Sequence, residues 1–233
     1  MKKTKKVIVI TGGNSGLGKA TAKILAPEND VVILGKNTKE VESTTKELKC
    51  DGIICNVTDE KQVQGAFAQI IKKYKKVDCL INCAGVWIKG PIDQNKPEEI
   101  RNTISVNVLG TIFTVNALVP QLKKQKFGRI INISSQAGLN ARVERSVYNT
   151  SKWAVTGFTK CLQLELASFH ISVVGFYPGF MHTNIFGKAE DSRTDFSTAM
   201  PVEKPAQALA YLVNVDDDLV INSFEMQSLN VSK

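Results

Sequence analysis

Val7 to Ile10 is a run of β-branched residues that passes directly into TGGNSGLG at residues 11 to 18, and no other stretch narrows the fold as much. A strand, a glycine-rich turn and a helix start, in that order, aim backbone N–H groups and a helix N-terminus at one spot, the arrangement that cradles a pyrophosphate. Gly12 suits the tight turn, Gly16 allows a phosphate to approach closely, and Gly18 lets the helix lie near the strand.

The rest of the chain repeats that alternation. Helical patterns over Lys19–Ala26, about 38–48, Asp59 to the lysines at 72–76, Pro97 to about Lys124, Tyr148 to about Ser168, and Pro205–Val213 separate short apolar runs. These runs are Val31–Leu34, Ile53–Cys55, Val77–Ile81, Gly128–Ile133, His170–Phe176 and a final one within 219–229. Strands alternating with helices six or seven times predict an α/β chain. The expected fold is a doubly wound, Rossmann-type parallel sheet of about seven strands with helices on both faces, one domain over 1–233. Pro120 is expected to kink its helix near the end. Residues 178–203 show no clean periodicity, and a loop that long in a compact domain is expected to bind substrate.

The formal net charge of +8 invites a nucleic-acid reading. Lys2, Lys3, Lys5, Lys6, Lys72, Lys73, Lys75, Lys76, Lys123, Lys124 and Lys126 carry that excess in three runs, and the last two fall at expected helix C-termini, where lysines offset the macrodipole. With no nucleic-acid motif beside them, no nucleic-acid partner is expected. Five cysteines without a C-x-x-C pair suggest a reducing compartment. The apolar run before TGG is too short for a signal peptide, and no run reaches the roughly 18 apolar residues of a span. A cytoplasmic location and no membrane partner follow as expectations, and no metal site is expected.

The chemistry gathers in RIINISSQAGLNARVERSVYNTSK at 129–152. Tyr148 and Lys152 stand four apart, so on a helix they share a face. A free phenol titrates near 10, and lowering that by about 3 units needs roughly 4 kcal/mol of preferential stabilisation of the phenolate. One ammonium about 4 Å away supplies energy of that order at an effective dielectric of about 20. Tyr148 is therefore expected to exchange a proton near neutral pH, with Ser135, at the end of the preceding strand, holding a carbonyl oxygen within reach.

Where dinucleotide folds often carry an acid for the ribose 2′-hydroxyl, this chain has Gly35 and Lys36. An ammonium there suits a 2′-phosphate, so NADP(H) is expected in preference to NAD(H).

TGGNSGLG, NCAG, SVN, INISS, YNTSK and YPG occur in an order and spacing that resemble the short-chain dehydrogenase/reductase family in its short single-domain branch, over roughly residues 5–230. The resemblance implies Tyr148 as general acid or base, Ser135 rather than Ser134 as the group polarising the substrate oxygen, and Lys152 as the cation that lowers the phenol pKa and holds the nicotinamide ribose. Asn107 would anchor a water linking Lys152 to solvent. Gly12, Asn14, Ser15, Gly16, Leu17 and Gly18 would meet the cofactor phosphates, with Lys36 and Asn37 at the adenosine ribose. Asn56 and Val57 would meet the adenine, Asn82, Ala84 and Gly85 would flank the adenosine, and Pro178, Gly179 and Thr183 would meet the nicotinamide end.

Asn56 stands where the family commonly has Asp, and Cys83 where it commonly has a second Asn. The resemblance implies hydride transfer between nicotinamide and a small carbonyl or secondary alcohol, by a homodimer or homotetramer. Two rivals share features: a sugar-nucleotide epimerase, disfavoured by the glycine spacing, and a non-catalytic NAD(P)-binding redox sensor, which would not need Ser135, Tyr148 and Lys152 together.

Overall fold

The computed structural model describes residues 5–183, 185, 196–216 and 218–229. Seven strands form one sheet: β1 (Val7–Thr11), β2 (Asp30–Gly35), β3 (Asp51–Ile54), β4 (Cys79–Asn82), β5 (Gly128–Ile133), β6 (Ile171–Pro178) and β7 (Ser223–Met226). Their spatial order is β3-β2-β1-β4-β5-β6-β7, and every pairing is parallel. Parallel neighbours need crossovers. Helices supply most of that length: α1 (Gly16–Leu25), α2 (Thr38–Leu48), α3 (Glu60–Tyr74), α4 (Pro97–Ile104), α5 (Gly110–Gln125), α6 (Ser146–Leu166) and α7 (Glu203–Asn214).

Side chains alternate across the sheet and build two cores. Ile8, Ile10 and Ile33 pack with Leu17, Leu25, Leu209 and Leu212 of α1 and α7. Val9, Val32 and Leu34 pack with Phe67, Val115, Leu118 and Leu162 of α3, α5 and α6. Because both faces are covered, inner strands such as β1 and β4 read as continuous apolar runs, whereas the edge strands β3 and β7 alternate. Lys72 and Lys73 fall in the last turn of α3, and Lys123 and Lys124 in the last turn of α5, where they oppose the carbonyl end of each helix. Lys2 and Lys3 lie outside the described residues.

The sheet order fixes where a ligand fits. From β1 the chain moves outward to β2 and β3, then returns to β4 on the other side of β1. The crossovers therefore part at the carboxyl ends of β1 and β4 and leave a crevice there. Register aligns those ends, with Thr11 opposite Asn82 and Asn82 opposite Asn132.

One expectation about the long helix is corrected. Its interruption is not at Pro120, which sits inside a continuous α5, but at a π-helical turn over Ser105–Leu109 that separates α4 from α5. Pro120 and Asn116 are both exposed, so the carbonyl left without a donor can be met by water. The π turn surrounds Asn107, whose side chain is held by groups outside the helix, a common setting for such bulges. Pro97–Gln125 is long and apolar enough to cross a membrane, yet it packs on α3, α6 and β5 and buries Thr103, Asn107, Thr111 and Thr114. It is a core helix.

Candidate active site

The glycine turn folds as its spacing predicts. Gly12 has φ +65°, and a Cβ there would stand 2.9 Å from the Ala84 Cα, so a side chain would collide with the segment after β4. At Gly18 a Cβ would meet the Gly12 carbonyl at 2.4 Å. Ser15 precedes α1 without capping it, and the first backbone bond runs from Lys19 N–H to the Ser15 carbonyl. The N–H groups of Gly16, Leu17 and Gly18 thus have no intrahelical acceptor. By contrast α2 and α3 are capped, by Asn37 on Glu40 N–H and by Asp59 on Gln62 N–H. Glycines and free N–H groups at one helix start fit a dinucleotide pyrophosphate.

Around that turn the structure assembles the rest of the crevice. Thr183 lies against Gly16, with its Cβ 3.8 Å from where a glycine Cβ would stand, which brings the segment after β6 over the glycine turn. Asn14 packs on Gly35, where its Oδ1 would be 2.2 Å from an added Cβ, and its Nδ2 donates to Glu40 at 2.6 Å. Lys36 is exposed immediately beyond Gly35. The Asn37 side chain is engaged as the α2 cap, and Val57 is buried against Gly110. Asn56 Oδ1 accepts from Thr58 N–H at 3.2 Å and the Asn56 carbonyl from Asp59 N–H, so this residue shapes the turn before α3.

Asn82 turns inward. It donates to Asn132 at 2.9 Å and accepts from Thr114 at 2.7 Å, and Asn132 donates on to Thr159 at 3.0 Å. This buried polar chain ties β4, β5, α5 and α6 together beneath the crevice, so only the Asn82 backbone is left to face a ligand. Thr11 was not anticipated, yet its Oγ1 accepts from both Cys83 and Ala84 N–H at 3.1 Å and fixes the NCAG backbone beside the glycine turn. The signal for the chain was present, since Asn82 and Asn132 interrupt apolar strands at paired positions.

The proton-transfer candidates converge from β5, α6 and the π turn. Tyr148 and Lys152 are 8% and 6% exposed on α6. The Lys152 Nζ lies 5.8 Å from the Tyr148 ring centroid and donates to the Ile133 carbonyl at 2.9 Å. The Ser135 side chain accepts from Ala137 N–H at 3.1 Å and donates to the Pro178 carbonyl at 3.5 Å, and it stands close enough to Tyr148 to draw the phenol's pKa down. Ser134 instead bonds to Lys152 O and Thr156, both at 3.0 Å, within the core. Asn107 is 1% exposed and its amide is committed. Oδ1 accepts from Val86 N–H at 2.8 Å, while Nδ2 donates to Val86 O and Ser151 Oγ at 3.0 Å. Gly85 lies between Asn107 and Lys152, with an added Cβ 3.4 Å from Asn107 Oδ1 and 4.0 Å from Lys152 Nζ.

The electrostatics correct the expectation of an acidic phenol. Burial pushes Tyr148 up to about 12, against the opposing pull of the Ser135 hydroxyl and the Arg145 charge. Burial likewise brings Lys152 down to about 8, with Cys83 working the other way. The ammonium donates to the Ile133 carbonyl, and the groups that pull the phenol downward are Ser135 and Arg145 rather than Lys152. The Cys83 thiol is also pushed up, to about 12, by burial and is no nucleophile at neutral pH.

Above these groups Trp87 meets the Tyr148 ring edge-on at 4.4 Å, and Ile88, Ala137 and Val147 complete an apolar wall. At the root of the 178–203 segment, Pro178 is buried, Gly179 N–H donates to Met226 O at 2.7 Å, and Met181 bridges to Met200. Most of the segment's centre lies outside the described residues.

Known proteins share this architecture. The family profile described as short chain dehydrogenase matches residues 6–194. The 3-oxoacyl-(acyl-carrier-protein) reductase of Thermotoga maritima is 33% identical, over 92% of this chain and 93% of its own length. The crystal structure of 3-ketoacyl-(acyl-carrier-protein) reductase from Brucella melitensis complexed with NADH superposes with a TM-score of 0.88 at 26% identity, over 95% of this chain and 96% of that one. ElxO with NADP bound gives a TM-score of 0.87 at 28% identity, over 95% and 97%.

Proposed function

The chain belongs to the short-chain dehydrogenase/reductase family and is an NAD(P)-dependent oxidoreductase, and from that premise we propose that it reduces a small carbonyl substrate with NADPH by means of Ser135, Tyr148, Lys152 and Asn107. One observation carries the reading: Ser135 stands beside the Tyr148 phenol, with Lys152 on the same helix as Tyr148, at the strand ends that open beside the glycine turn. A bound nicotinamide dinucleotide supplies the hydride.

This chain's residues do the remainder. Gly12, Gly16 and Gly18 leave room for the pyrophosphate, and the uncapped start of α1 presents it with N–H donors. Ser135 orients the carbonyl oxygen. Tyr148, kept protonated by burial, donates the proton that the oxygen needs. Lys152 offers its charge to the ribose and phenol, and Asn107 holds the Val86 backbone and Ser151 around it. Trp87 and the apolar wall exclude water. Lys36 supports the choice of NADP(H), because it is the charged group next after Gly35 while Glu40 is occupied by Asn14.

The same reading includes a homo-oligomer, supported by exposed Trp153 and Leu164 on α6 with an unobstructed Gly157 between them. It also includes a cytoplasmic location, supported by five unpaired cysteines.

The test is Tyr148→Phe. Carbonyl reduction should fall by about a hundredfold or more, with dinucleotide affinity by equilibrium titration held within a few fold. Substantial remaining turnover would take the phenol out of its assigned role.

A further inference from the structure

The loop between Leu139 and Val147 carries two guanidinium groups, Arg142 and Arg145, beside the proton-transfer residues. Arg145 is half-buried directly before α6, and its guanidinium carbon lies 5.1 Å from the centroid of the Trp87 ring, the same ring that meets Tyr148 at 4.4 Å. The charge is close enough to Tyr148 to act on the phenol, and Arg142 is close enough to Arg145 to repel it. Neither guanidinium has an ion pair or hydrogen bond among the described residues. The carboxylate between them in sequence, Glu144, pairs with Lys89 at 3.6 Å, and its carbonyl is taken by Gly90 N–H.

This arrangement is costly without a ligand. A guanidinium partly withdrawn from water is ordinarily matched by a carboxylate or phosphate, which its planar fork binds in a bidentate manner. Stacking on Trp87 orients that fork without satisfying its donors. Positive charge at the mouth of a cleft with apolar walls also concentrates anions there.

We propose that Arg145, assisted by Arg142, seats an anionic group of the substrate, a carboxylate or a phosphate monoester, a few bonds from the carbonyl that Ser135 and Tyr148 engage. The inference rests on the reductase reading and adds the substrate's charge to it. Arg145 is thus a specificity-determining residue, and its substrates are oxo acids or phosphorylated ketones rather than neutral ketones.

Binding and turnover test it separately. In a Trp153→Phe background Trp87 is the remaining tryptophan, and its fluorescence is titrated with hexanoate, methyl hexanoate and pentyl phosphate. At least one of the two anions should bind about tenfold or more tightly than the ester, as expected for a charge-assisted contact in a partly desolvated site. The stronger anion identifies the group. Arg145→Met should erase the difference, Arg145→Lys should keep part of it, and Arg142→Gln should reduce it. In turnover, the ratio of kcat/KM for 4-oxopentanoate to that for its methyl ester should fall by a similar factor in Arg145→Met. That ratio cancels any general effect of the charge on Tyr148. Equal affinity of both anions and the ester, or an anion preference untouched by Arg145→Met, would overturn the proposal. Anion binding through Arg145 without turnover of any ketone would instead retire the reductase reading and leave a bare anion site.

Discussion

Lys152 should be a burden on the protein when no dinucleotide is bound, and Lys152→Met measures how large. Its folded pKa of about 8 lies below the ordinary 10.5, and it is 6% exposed, so little solvent screens the effect. A lysine lowered in this way is charged in both states below pH 8, where the folded protein bears the full desolvation cost. That cost is about 3 kcal/mol at 1.36 kcal/mol per unit. Between the folded and unfolded values the unfolded chain binds more protons, so stability rises with pH and the cost is progressively relieved. Methionine carries no such titration. In urea unfolding, the stability of Lys152→Met minus that of the wild type should therefore shrink by about 1.3 kcal/mol from pH 7 to pH 9.

The ceiling at pH 9 matters, because the thiols of Cys55 and Cys83, raised by burial to about 11 and about 12, begin to destabilise the fold above their ordinary value of 9.0. The measurement compares pH values, so lost packing or the lost bond to Ile133 shifts the whole curve without changing its slope. A difference that stays flat from pH 7 to pH 9 would refute the reasoning and mean that the ammonium is adequately solvated in the apo protein.

Further perturbations address other links. Lys36→Ala should weaken NADP binding much more than NAD binding in paired titrations, and equal effects would make this lysine an ordinary surface residue. Arg129→Leu removes a guanidinium that is 5% exposed and donates to Leu212 O at 2.7 Å, Val215 O at 2.9 Å and Asp216 O at 3.3 Å. The end of α7 then loses its partners, and the urea midpoint should fall by the equivalent of about 3 kcal/mol at unchanged slope. Gly12→Ala should abolish dinucleotide binding and lower the melting temperature, because residue 12 has positive φ and its new Cβ would press on Ala84. Retained affinity would mean that the turn relaxes at little cost.

Particular residues show what was legible in the sequence. The alternation of apolar runs and helical stretches determined the parallel sheet, because side-chain periodicity is a local property and a parallel partner demands a crossover. The glycine spacing determined the turn before α1, and the four-residue interval from Tyr148 to Lys152 determined their shared face, since helix geometry fixes both.

What depended on distant groups was settled only in the folded chain. The helix containing Asn107 yields at the π turn rather than at Pro120, because Val86 and Ser151, remote in sequence, claim the asparagine amide. Asn82 faces inward because Asn132 stands opposite it. Tyr148 is raised and Lys152 lowered because burial, which belongs to the whole molecule and to no single stretch, removes water from both. Local sequence could pair the phenol with the amine, but only tertiary packing decided the direction in which each group's proton affinity moves.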